Sequence, residues 1–354
     1  MKPSTQSHNA PLAKPSQGRI EYIDALRGLT MVLVVFYHVA FYCWHVCGKG
    51  ISIHDYLVQF RMPTFFFISG FLVYKSGMDW NAKQTIGFFR KKIPVQLIFP
   101  FVFFAIYLHL RHLSFYPSII DHTKVGYWFT YVLLEFYCFY AATRFFIRSK
   151  WVDIALIVTA LVIYPINSPT VYDAIPIPEA WKGALSMRMW CYYFFFVLGS
   201  LVRKHFTLVE RLLDSKWLLP CCIIYYFVIN ILGDTLPTSN IPFGFTLSLA
   251  GVIILFSFFR AHQQSFSHNT AVGKTLQFIG RRTLDVYLIH YFLIPRQLSF
   301  ITVFADHPMP VIEATISLII AAVVIAACLL LSSIIRLSPQ LAHWVFGAKY
   351  PSTH

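Results

Sequence analysis

Long apolar stretches follow one another from Asp24 almost to the C-terminus, separated by short polar segments. A membrane-crossing helix needs about 20 mostly apolar residues. Ten stretches are candidates: 24–46, 56–75, 89–108, 127–147, 152–165, 189–202, 217–232, 241–259, 283–301 and 311–335. The fifth and sixth are short. The pattern predicts an all-α polytopic membrane protein with about ten transmembrane helices. A polar tail, residues 1–18, precedes a membrane domain over 19–338, and a short tail, 339–354, follows. No appended soluble hydrolase-like domain is expected.

Composition agrees with this reading. The 354 residues are 57% hydrophobic, 18% aromatic and only 12% charged, with a mean hydropathy of +0.60. Soluble domains carry about 25% charged residues, so half that share leaves little surface for water. The first 23 residues lack the short apolar core of a secretory signal, so the first run is expected to stay as a helix.

The net charge of +14 comes from 29 Lys and Arg against 15 Asp and Glu. The bases form short clusters between apolar runs rather than a stripe, which argues against nucleic acid. With the N-terminus placed in the cytosol, 22 Lys and Arg fall on the cytosolic side and 7 on the other. That asymmetry favours an even number of crossings with both termini cytosolic, in a multi-pass protein of the cytoplasmic (inner) membrane. Seven cysteines lie in or beside apolar runs, with no Cys/His zinc spacing, so no metal is expected. Cys43 and Cys47 are four apart, a poor arrangement for a disulfide within one helix.

Polar side chains at membrane depth are costly, so they usually face a cavity or each other. The first run carries Asp24, Arg27 and His38. Eleven residues are roughly three turns and 16 Å of helix, so Arg27 and His38 share a face. Asp24 can pair with Arg27 on that face. The second run contains Arg61, Ser69 and Gly70, and the fourth contains Trp128 and Glu135. Glu135 sits at a depth similar to that of His38, which makes it a candidate partner for the imidazole. Arg281 and Arg282 lie just before the ninth run, which contains Tyr287 and His290. Each has a plainer reading as well: an interfacial cation, a snorkelling arginine, a protonated carboxyl in packing, or a hydrogen-bonded core histidine. The loop 166–188, rich in Pro and Trp, is expected to fold back on the bundle.

Together these segments resemble the acyltransferase-3 family of membrane O-acyltransferases. Arg27 and His38, ten residues between them, are similar to the family's hallmark in its first helix. Phe66-Phe67-Ile68-Ser69-Gly70-Phe71 resembles its second-helix element, and Arg90-Lys91-Lys92-Ile93-Pro94 approximates its basic cluster before the third. Trp128-Phe129 and the stretch from Gly280 to His290 match later elements. The resemblance implies an acyl-CoA donor, with acetyl-CoA expected, and an acceptor hydroxyl on a cell-surface or lipid-linked glycan. It implies a cell-envelope polysaccharide O-acetyltransferase working beside the lipid bilayer and glycan-assembly proteins.

Within that expectation His38 is the general base or a short-lived acyl carrier. Arg27, Arg90, Lys91, Lys92, Arg281 and Arg282 are expected to receive the anionic CoA. Glu135 is expected to orient the imidazole. Arg61, Ser69, Trp128, Tyr287 and His290 are expected around the acceptor. The alternative is a transporter or exporter of a polysaccharide that performs no chemistry, because polar residues in spans also mark transport paths.

Overall fold

A computed structural model describes residues 19–44, 53–232, 241–296 and 309–347. The first polar tail, Cys47, Lys49, the predicted ninth span beyond residue 296 and the last residues of the second tail, Lys349 included, lie outside them. The described residues are helical, with no strand among them.

The principal helices are α1 (Glu21–Trp44), α2 (His54–Val73), α3 (Ala82–Leu110), α4 (Trp128–Phe146), α5 (Val152–Ile163), α6 (Tyr193–Lys204), α7 (Phe206–Leu213), α8 (Leu218–Ile231), α9 (Ile241–Ala261), α10 (Ala271–Arg281), α11 (Thr283–Leu293), α12 (Pro310–Ile335) and α13 (Pro339–Phe346).

The described part of each of the ten apolar stretches contains helix, but among the described residues five helices are long and apolar enough to cross a bilayer: α1, Tyr56–Val73 within α2, α3, Gly244–Ala261 within α9, and α12. The pair α7 and α8, bent by 71°, raises the count to six if it forms one span. Local chemistry shortens the others. α11 stops at Leu293 because Ile294 precedes Pro295 and takes the extended backbone that position favours. α6 starts only after the tighter turns of Met187–Tyr192.

α1 lies at the centre, packed against α2, α9, α10, α11 and α12. Two crossings bring backbones together at paired glycines. A Cβ on Gly28 would fall 2.0 Å from the Leu276 carbonyl oxygen, and one on Gly280 would fall 1.9 Å from that of Asp24. These two positions lock α1 to α10. Gly70 and Gly199 do the same for α2 and α6, against the carbonyls of Phe196 and Phe67. Close approach through small residues is how helices gain packing where the solvent is lipid.

α3 carries a wide π-type turn at Pro94–Ile98, where the Phe99 N–H donates to the Pro94 carbonyl. Pro94 and Pro100 both lack an N–H, so the regular ladder cannot run through this stretch. The turn buries Gln96. Residues 111–127 and 164–192 pack against each other, and Met187–Tyr192 also touches α2, α5 and α6. Lys124 is buried there and joins the two segments, donating to the Gly183 carbonyl (3.0 Å) and to Ser186 Oγ (2.7 Å).

Candidate active site

A cavity of about 480 Å³ runs along α1, within the range of small-molecule sites. Arg27 lines one end. His38, three turns further on, lines it near Gly126 and Tyr291. The shared face read from their spacing is therefore a shared cavity wall. Arg61, Ser69, Lys92, Trp128 and Tyr287 line it too.

At the first end Arg27 makes no hydrogen bond or ion pair with the described residues, while Asp24 pairs with Arg19 instead. Lys92 donates to the Tyr137 hydroxyl (3.1 Å). Arg90, Lys91, Arg281 and Arg282 do not line the cavity. Arg282 donates to Ser332 and lies 3.8 Å from Asp285, the buried carboxylate that Arg336 grips with two hydrogen bonds of 2.9 Å. These contacts tie α11 to α12.

Around the middle, Arg61 is 8% exposed, and its guanidinium carbon sits 3.8 Å above the Tyr37 ring. No carboxylate among the described residues pairs with it, and its Nε has no hydrogen-bond partner. Gln96 Oε1, presented by the π turn, is also unpartnered. Buried polar atoms without partners are uncommon, and a cavity lined with them suits a polar occupant. Trp128 and Tyr192 line the cavity and stack 6.0 Å apart at 21°, and the buried Phe66 stacks on Tyr192, 5.3 Å apart at 15°. The Ser69 hydroxyl donates to the Phe65 carbonyl in its own helix (2.9 Å).

His38 does not meet Glu135. The Glu135 carboxylate accepts from Trp190 Nε1 (2.8 Å) and does not line the cavity. The partner of His38 is His290, with Nδ1 of the first 3.0 Å from Nε2 of the second. His290 is fully buried behind His38 rather than at the cavity wall. Its own Nδ1 lies 2.9 Å from the Val286 carbonyl, which can only accept. Hydrogen-bond logic then assigns the protons. His290 Nδ1 carries hydrogen, so its Nε2 is an acceptor. His38 Nδ1–H donates to it. In the neutral ring, the lone pair of His38 is left on Nε2, which faces the Tyr291 hydroxyl at 3.1 Å. A second ring nitrogen fixed in this way is the usual means of setting a catalytic imidazole's tautomer.

Tyr291 and Tyr287 both place their hydroxyls 3.1 Å from the Gly126 carbonyl. That carbonyl belongs to a turn in which Lys124, Val125 and Gly126 all have positive φ, 44°, 53° and 104°. Left-handed backbone at Lys124 and Val125 is unfavourable for residues with a Cβ, and such strain persists only where surroundings enforce it. The bonds of Lys124 to Gly183 and Ser186 supply that enforcement. Gly126 itself has no room for a side chain, since a Cβ would lie 2.2 Å from the Tyr291 hydroxyl oxygen.

Sequence reasoning missed Tyr291, Gly126, Lys124 and Gln96. It also missed Arg296, whose guanidinium lies 4.1 Å from the Tyr42 ring and donates to Tyr107. Among the described residues no group of three His, Cys, Asp or Glu side chains could hold a metal ion. The Cys43 thiol donates to the Pro295 carbonyl (3.0 Å).

Comparison with protein families matches residues 20–335 to the acyltransferase-3 family, described as an acyltransferase domain. No curated protein and no solved structure matches the chain.

Proposed function

The chain belongs to the acyltransferase-3 family and is a membrane acyltransferase; from that premise we propose that it moves an acyl group, acetyl in the simplest case, from cytosolic acyl-CoA to a hydroxyl of a cell-envelope glycan. The observation that carries this reading is the single cavity lined by both Arg27 and His38. A guanidinium without a partner among the described residues, at one end, suits a phosphate-bearing thioester. An imidazole with a fixed tautomer further in suits removal of a proton from an alcohol.

The Arg27 end faces the cytosol on this reading, which follows from the 22-to-7 division of basic residues. Both termini then lie on that side. Arg27 and Lys92 meet the CoA phosphates, with Arg90 and Lys91 nearby on α3. The acyl group enters the cavity toward His38. The acceptor hydroxyl attacks the thioester carbonyl, its proton passes to the His38 system, and the thiolate of CoA leaves. Arg61 faces the charge that develops on the carbonyl oxygen. His290 holds His38 in place. Trp128 and Tyr192 offer flat surfaces of the kind on which a sugar ring can lie. Both nitrogens of His38 have partners, which favours base catalysis over an acyl-imidazole carrier.

The test is a transfer assay on purified protein in lipid vesicles, with acetyl-CoA as donor. The expected result is release of free CoA thiol that rises when a carbohydrate acceptor is added and vanishes in His38→Ala. A transporter without chemistry releases no thiol. Mass spectrometry of envelope glycans from cells with and without the protein then identifies the acceptor by its lost acetyl mass.

A further inference from the structure

Both ring nitrogens of His38 are already engaged. Its Nε2 is covered by the Tyr291 hydroxyl at 3.1 Å, and its Nδ1 is committed to His290. An alcohol in the cavity therefore meets Tyr291 on its way to the base. Tyr291 itself lines the cavity. Its hydroxyl has one proton and two acceptors at equal distance, His38 Nε2 and the Gly126 carbonyl, each at 3.1 Å.

The geometry points to Tyr291 as a proton relay between the acceptor hydroxyl and His38. This rests on the acyltransferase reading with His38 as base. With His38 neutral, Tyr291 donates to Nε2 and its oxygen is open to accept from the substrate. As the substrate oxygen bonds to the thioester carbon, its proton moves to Tyr291 Oη while the tyrosine's own proton moves to Nε2. The C–S bond breaks, and the thiolate of CoA takes up the proton when it returns by the same path. The products are the ester and the free thiol, so atoms and charge balance.

The intermediate state explains the second acceptor. Once His38 is an imidazolium, Nε2–H must donate, so the Tyr291 oxygen becomes its acceptor and the tyrosine proton swings to the Gly126 carbonyl. These polar contacts are then all used at once: Nδ1–H of His38 to His290, Nδ1–H of His290 to Val286, Nε2–H to Tyr291, and Tyr291 to Gly126, whose carbonyl also accepts from Tyr287. No heavy atom has to move. The left-handed turn at 124–126 thus has a chemical use, because it fixes the carbonyl that receives the swinging proton.

The experiment compares CoA release from acetyl-CoA, with water or methyl glucoside as acceptor, in wild type, His38→Ala, Tyr291→Phe and protein carrying a fluorinated tyrosine at 291. Tyr291→Phe is expected to lower kcat by about 10²-fold or more, with KM for acetyl-CoA unchanged. The fluorinated tyrosine keeps the ring's shape but acidifies the hydroxyl, so it is expected to stay active with a displaced pH–kcat profile. Solvent mixtures of H₂O and D₂O should give a curved dependence of rate in wild type, from two protons in motion. Near-normal kcat in Tyr291→Phe, with His38→Ala inactive, overturns the relay and leaves the base intact. An unmoved pH profile with the fluorinated tyrosine overturns it as well, even if Tyr291→Phe fails to fold. Normal activity in His38→Ala instead removes the base reading itself.

Discussion

His38 and His290, 252 positions apart in the chain, meet through a 3.0 Å hydrogen bond between Nδ1 and Nε2. The first helix thus presents an imidazole whose orientation is set by the eleventh. On the proposed reading, His290 takes the part of the acidic residue in many hydrolytic triads, but without a charge, because its own proton is anchored on a backbone carbonyl. His290→Phe removes the acceptor while keeping a ring in the space. We expect kcat to fall by about 10²-fold or more, with KM for acyl-CoA unchanged. His290→Gln can still accept from His38 and should recover part of that loss. Steady-state kinetics on both variants check this, and equal losses would contradict the role.

Arg27 lines the same cavity and has no partner among the described residues. Arg27→Ala should raise KM for acyl-CoA by about 10-fold, the loss of one charge-assisted contact of roughly 1.5 kcal/mol. Arg27→Lys should recover part of it, and kcat at saturation should hold. A defect confined to kcat would place Arg27 elsewhere in the reaction.

Much of this arrangement was legible in the chain, and the limits have physical causes. Helix periodicity put Arg27 and His38 on one face because both lie on one continuous helix. The choice of partner failed because it rested on depth alone. Counting residues gives Glu135 and His38 a similar depth, but depth is one coordinate of three, and the bundle turns Glu135 toward Trp190. Tyr291 sits in an apolar aromatic run and carries no signal of its own. Gly126 shows its purpose only when its φ and the approaching tyrosine are seen together. Apolar runs marked where the helices lie, but run length did not foretell ends set by Pro295 or by the turn at 187–192.

The glycine crossings carry a stability prediction. Gly28→Ala and Gly70→Ala each drive a Cβ to 2.0 Å or less from a backbone oxygen of the facing helix. A backbone atom cannot step aside as a side-chain tip can, so the helices must separate. Each variant should lose about 1–3 kcal/mol, read as a lower midpoint of thermal unfolding in detergent. Gly87, inside α3, where an added Cβ would meet nothing within 4 Å, is the control, and Gly87→Ala should unfold at or slightly above the wild-type midpoint.

Lys124 links stability to pH. Burial pushes its ammonium down to about 8, against 10.5 in an exposed lysine. Between those values the unfolded chain holds the proton and the folded chain has released it. The unfolded state binds more protons, so stability rises with pH across that window. From pH 7.5 to pH 9.5, wild type should gain unfolding midpoint relative to Lys124→Met, which lacks the titrating group. Parallel shifts in the two proteins would contradict this.

The most direct measurement is a structure of the protein in lipid nanodiscs with a non-hydrolysable thioether analogue of acetyl-CoA. The account requires the phosphates beside Arg27 and Lys92 and the analogue's carbonyl inside the cavity, within reach of Tyr291 and His38. An analogue seated instead on the surface groove by Lys75 and Lys91, with its acyl end away from the imidazole, would contradict it.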